Sequence, residues 1–120
     1  MIPLNNADER AHHWIEDWNR HDLESILNHY AEDIVFYSPF VVSIMEKSPA
    51  CLEGKEQLRD YFSKAFTKYP DLNFKLHHVF SGIDSVVLYY ESVMNLQAAE
   101  FMKINAEGLI QEVRAHYFQS

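Results

Sequence analysis

Glu100 is the residue best placed to do chemistry. It sits in AAEFMKI, which with LIQEVRAHY flanks the turn 105–108 and forms an alternating hairpin over residues 98–117. Alternation puts Ala98, Glu100 and Met102 on one side and Ala99, Phe101 and Lys103 on the other. On the partner strand Val113, Ala115 and Tyr117 share a face opposite to Glu112, Arg114 and His116. The strand before points Val86, Leu88 and Tyr90 the same way. Glu100 is therefore expected among Met102, Val113, Ala115, Tyr117 and Tyr90. A carboxyl in such company has a raised pKa, because burial disfavours its charged form. It can act as a general acid, or donate a hydrogen bond to a developing oxyanion. A one-residue slip in register would instead set it on the surface beside Lys103 or Arg114.

Other side chains extend this candidate site. Tyr30, Tyr90 and Tyr117 carry hydroxyls that can orient a ligand, although such aromatics equally build cores. Trp14 and Trp18 share a helix face, and one is expected to line a cavity while the other is core. The histidine pairs His12-His13 and His77-His78 diverge on any regular element, and His21, His29 and His116 complete no ligand spacing such as HExxH. Solvated or core histidines are the expectation, and no metal is predicted. His78 alone is a candidate to face the cavity, as a base toward Glu100. The three glycines do not cluster into a phosphate loop, and Cys51 has no recognisable base.

The chain of 120 residues suffices for one domain with one core. Its net charge of −8 disfavours nucleic acid and anionic membranes as partners. A single cysteine fits a reducing compartment. The opening MIPLNNADER lacks the basic and apolar parts of a signal peptide, and no apolar run approaches membrane-span length. The expectation is a cytoplasmic protein.

The elements that must hold the site follow from periodicity. Residues 1–6 read as an extended lead. Ala11, Trp14, Ile15 and Trp18 mark a helix over 7–19, and Leu23, Ile26, Leu27 and Tyr30 a second one capped by Asp22. Residues 33–39 read as a strand, and 40–53 as a loop with at most a minor strand. Leu58, Tyr61, Phe62, Ala65, Phe66 and Tyr69 stripe a third helix over 55–69, stopped by Pro70. From Leu72 the period becomes two, giving strands over 72–80 and 85–94 before the final hairpin. Three helices on one side of a curved, mainly antiparallel sheet make an α+β fold with a cavity between the layers.

The stretches WIEDWNRHDLESILNHYAEDIVFYSP, EGKEQLRDYF and INAEGLIQEVRAHY, taken in that order, resemble the nuclear transport factor 2-like superfamily. Within it they resemble the SnoaL-like polyketide cyclases and the ketosteroid isomerases. The resemblance covers most of the chain and implies a cone-shaped roll of sheet and three helices, one domain over residues 1–120. It also implies a homodimer through the open sheet face and no cofactor. Isomerases of this kind carry a base Asp before the proline of the first strand, where this chain has Ser38. Their oxyanion-hole Tyr falls at Trp14, a supporting Tyr at Tyr30, another at Phe62, the protonated Asp at Glu100, and a pocket Trp at Tyr117. The standard isomerase mechanism therefore does not carry over.

The function expected is acid/base chemistry on an apolar, carbonyl-bearing or cyclic compound, as isomerisation, cyclisation or hydration. Glu100, Tyr30 and Tyr117 would be catalytic. Trp14, Trp18, Ser38, Phe62 and Phe66 would form one part of the ligand wall, and His78, Leu88, Tyr90, Met102, Val113 and Ala115 the other. The alternatives are a non-catalytic binder of a lipid-like ligand and a protein-interaction module.

Overall fold

The computed structural model describes residues 6–46 and 49–119, so the extended lead expected over 1–6 lies, but for Asn6, outside the described residues. Helix α1 is Ala7–Asn19, and its spaced residues Ala11, Trp14, Ile15 and Trp18 are all buried. Arg10 ties α1 to the far hairpin by donating from Nη1 to the Gly108 carbonyl at 2.7 Å. Asp22 caps helix α2, Leu23–Leu27, accepting from Ser25 N–H at 3.2 Å. Tyr30 is not the last turn of α2, as its spacing suggested. It opens strand β1, Tyr30–Tyr37, in register with Ile110. Pairing satisfies the backbone groups there, and so overrides the local helical period.

The stretch expected as a loop over 40–53 holds a helix and a strand. Ser38 ends the extended run and caps helix α3, Pro39–Met45, its hydroxyl accepting from Phe40 N–H at 3.2 Å. Pro39 takes the first helical position, where a missing N–H costs nothing. Strand β2, Cys51–Glu53, pairs antiparallel with β1. Helix α4, Lys55–Lys68, buries Leu58, Tyr61, Phe62 and Ala65.

Strand β3 is Lys75–Ser81, shorter at its start than expected. Leu72 and Phe74 are buried ahead of it, and the Asn19 side chain brackets the Phe74 backbone with bonds of 2.6 and 2.9 Å. Strand β4, Ser85–Glu91, ends in a turn in which Met94 and Asn95 take φ of 56° and 59°. Strands β5, Gln97–Ile104, and β6, Ile110–Phe118, form the final hairpin.

The strands order as β2-β1-β6-β5-β4-β3, with β1 parallel to β6 and each other adjacent pair antiparallel. Four helices among the described residues cover one face of this curved sheet, one more than the sequence suggested. The fold is α+β. Among the described residues no helix is long and apolar enough to cross a membrane.

Candidate functional site

Register builds the site across three strands. Leu88 on β4 pairs with Glu100 on β5, which pairs with Ala115 on β6. All three face the helices, and Glu100 is 3% exposed. Tyr90, two residues along β4, donates its hydroxyl to Glu100 Oε1 at 2.6 Å. Burial pushes the Glu100 pKa from 4.5 to about 7, while the Tyr90 hydrogen bond pulls it back. Glu100 thus holds and releases a proton near neutrality. Burial, and then the Glu100 charge, push the Tyr90 phenol well above its ordinary range, so it stays a donor.

Glu100 opens into an aromatic cavity of about 50 Å³. Helix α1 contributes Trp14, stacked on Phe74 at 5.9 Å and edge-on to Tyr90 at 5.5 Å. It also contributes Trp18, edge-on to Phe62 of α4 at 4.7 Å. Helix α3 brings Phe40 edge-on to Tyr117 at 4.8 Å, and Tyr61 of α4 and Phe36 of β1 close the wall. At the mouth, Tyr69, Leu72, Ser92 and Val93 are shared with an open depression of about 340 Å³ whose further lining includes Asp71, Asn73, Glu91 and Asn95.

The cavity gathers Glu100, Tyr90, Tyr117, Trp14, Trp18 and Phe62 from the residues the sequence singled out. Both tryptophans line it, rather than one. Tyr30 lies behind the wall, fully buried, and accepts from Trp14 Nε1–H at 2.9 Å. Trp18 Nε1 sits near the Tyr30 oxygen, buried and without a hydrogen-bond partner. Ser38 is also behind the wall, 2% exposed. Val113 and Ala115 are buried outside the cavity lining, and Leu88 and Met102 line a separate void of about 20 Å³ near Arg10 and His29. Phe66 packs on Trp18 and His21 without lining the cavity.

His78 faces outward and is exposed, so it is not a base toward Glu100. The cause is a bulge in β3: Leu76 pairs with Tyr90, but His78 pairs with Tyr89. The extra residue reverses the alternation, and the bulged His77 hydrogen-bonds Gln97 at 3.0 Å. Among the described residues no group of three or more His, Cys, Asp or Glu stands close enough to hold a metal ion. Sequence reasoning missed Tyr61, Tyr69 and Phe40 as wall residues. Tyr61 and Tyr69 were visible in the stripe of α4, and the Ser38-Pro39 start signal could have exposed α3.

A SnoaL-like domain matches residues 11–113 of the chain. A SnoaL-like protein of unknown function from Burkholderia thailandensis is 32% identical, with 98% of this chain and 100% of that one covered and a TM-score of 0.93. An NTF2-like protein of unknown function from Cytophaga hutchinsonii is 16% identical over 98% and 95% of the two chains, with a TM-score of 0.73. The epoxide hydrolase/cyclase-like enzyme SalBIII, with a role in pyran ring formation in polyether salinomycin, is 18% identical over 95% and 92%, with a TM-score of 0.71. These last two likenesses show the fold. No curated protein matches the sequence.

Proposed function

The chain belongs to the SnoaL-like domain family, and from that premise we propose that it is an enzyme of acid/base chemistry. Its substrate is an apolar, carbonyl-bearing or cyclic small molecule, and its reaction an isomerisation, cyclisation or hydration. The observation that carries this is Glu100, a buried carboxyl with a pKa of about 7 at the wall of an aromatic cavity. An acid/base group is most effective when its pKa lies near the working pH. Glu100 is the one carboxyl in the cavity lining among the described residues. It therefore both takes and returns the proton, with Tyr90 holding the carboxylate form and Tyr117, on the neighbouring strand, lining the same cavity. Ser38, in the position of the isomerase base, has its oxygen committed to capping α3. The likeness to SalBIII supports cyclisation as one member of the reaction class.

A cavity of about 50 Å³ is well below the roughly 300–1,000 Å³ of sites that enclose a whole ligand. One end of the substrate enters it, and the remainder lies in the depression at the mouth. This favours an enzyme over a carrier of long lipid-like chains. The outer sheet face, with Phe80 58% and Phe118 66% exposed, is assigned to a second copy of the chain. Sedimentation of the purified protein tests that dimer.

The catalytic reading is tested by proton exchange at the α-carbons of cyclic ketones in D₂O, followed by NMR. Wild-type protein is expected to accelerate exchange, and Glu100→Gln to lose at least about 100-fold of that rate while binding the ketone within about twofold. Equal exchange by the two proteins would overturn the role of Glu100.

A further inference from the structure

Two further phenols line the cavity besides the Tyr90–Glu100 pair. Tyr61 projects from α4 and Tyr117 from the end of β6, and both line the cavity. Ser38 lies beside both phenol oxygens, and favours their charge against the larger opposing effect of burial. Its own oxygen already accepts from Phe40 N–H, and its single proton can be given to either phenol oxygen, one at a time. A phenol approached by a donor turns its own proton away from that donor. The hydrogen bonds around this cavity run from Trp14 to Tyr30, from Phe40 to Ser38 and from Tyr90 to Glu100. Tyr90 also lies beside the Tyr117 oxygen, its own proton given to Glu100. Among the described residues neither Tyr61 nor Tyr117 donates a hydrogen bond, so both protons can turn to a ligand.

The two rings are also fixed in place. Phe40 holds Tyr117 edge-on at 4.8 Å, and Phe36 and Phe62 flank Tyr61 at 5.5 and 5.7 Å. Donors held by packing reorganise little when a ligand arrives, which is what makes a donor pair selective for oxygen.

We propose that Tyr61 and Tyr117, set by Ser38, form a two-donor cradle for an acceptor oxygen at the buried end of the ligand. The site then selects a ketone or similar acceptor over a hydrocarbon or an amine of the same shape. This rests on the cavity being a small-molecule site, but not on Glu100 being catalytic. When Glu100 removes a proton α to the carbonyl, the C–H electron pair becomes the new C=C bond. The carbonyl π pair moves onto the oxygen held by the two phenols. Return of the proton from Glu100 restores the charge balance.

The test compares cyclohexanone with methylenecyclohexane, in which a CH₂ group replaces the oxygen. Wild-type protein is expected to bind the ketone about tenfold more tightly. Tyr61→Phe and Tyr117→Phe are each expected to lose about fivefold to tenfold of ketone affinity, and none for the hydrocarbon. The carbonyl stretch of bound ¹³C-labelled cyclohexanone should lie at lower wavenumber in wild type than in either variant. Equal binding of the two probes by wild type overturns the cradle, as does an unchanged stretch in both variants. No saturable ketone binding at millimolar concentration overturns it too. Loss of ketone affinity in Glu100→Gln alone would put the oxygen on Glu100, sinking the cradle and leaving the acid/base reading intact. Tyrosine effects that persist while Glu100→Gln exchanges protons like wild type would keep the cradle and remove the catalytic role of Glu100.

Discussion

On β5, Glu100 points toward the helices, buried and bonded by one tyrosine. On β6, the neighbouring strand, Glu112 points outward, about one third exposed, and accepts from Arg114 Nε at 2.8 Å. The two residues are of one type, on paired strands of one hairpin, with Glu112 in register with Lys103. Their difference comes from the face alone. Water and a guanidinium stabilise the charge of Glu112, and its ion pair contributes little to stability. Glu100 is buried against an aromatic wall, and one phenol hydrogen bond offsets only part of the cost of its charge. The inner face thus holds a group that titrates where enzymes work, at a cost in stability that the outer face does not carry.

The largest expected effect is on the inner face itself. Leu88→Ala, beside Glu100 and 1% exposed, should cost about 2–5 kcal/mol in urea denaturation. Its outward neighbour Val87→Ala should cost under about 1 kcal/mol. Equal losses would mean that the two faces are not distinct.

Glu100 comes next. In the folded chain its pKa is raised from 4.5 to about 7, so the native state keeps a proton that the unfolded state has lost. The penalty is absent below pH 4.5, grows as the pH rises, and is complete above about 7, where it reaches about 3 kcal/mol. Glu100→Gln should therefore be more stable than wild type by up to about 3 kcal/mol at pH 8, and about equal to it at pH 4. A variant less stable than wild type at pH 8 would show that the carboxylate is better solvated than its burial implies.

Tyr90→Phe sharpens the same contrast. It removes the one side-chain hydrogen bond that favours the Glu100 carboxylate, so the midpoint of any rate that depends on that carboxylate should move above 7. Stability at pH 8 should fall by about 2 kcal/mol, the usual worth of a hydrogen bond to a charged group. A midpoint moved downward would reverse the assigned role of Tyr90. The smallest effect is on the outer face, where Glu112→Gln should change stability by less than about 0.5 kcal/mol at any pH from 5 to 8.

The alternation of 98–117 alone puts Glu100 on the inner side, and the pairing of β5 with β6 has that register. The stripe of α1 likewise set both tryptophans toward the core. Elements went astray where a partner distant in sequence won. Tyr30 fits the spacing of α2, yet Ile110, eighty residues away, draws it into β1. Phe74 fits a strand, yet the Asn19 side chain takes its backbone groups. The segment of α3 is rich in β-branched residues and hides its helix, although Ser38 and Pro39 mark its start. His78 was misplaced by one bulged residue, which no period reveals.

By itself, then, the sequence determined the α+β class, the final meander and the side on which Glu100 lies, because the helical and extended periods are local properties of the chain. Only the tertiary structure decided that β1 runs parallel to β6, and that Phe40, Tyr61 and Tyr117 meet around one small cavity. It also decided that Glu100 is buried deeply enough for its pKa to rise to about 7. Depth and closure depend on how far the layers stand apart and which side chains fill the gap. Those are set by contacts between residues far apart in the chain, which a local repeat does not encode.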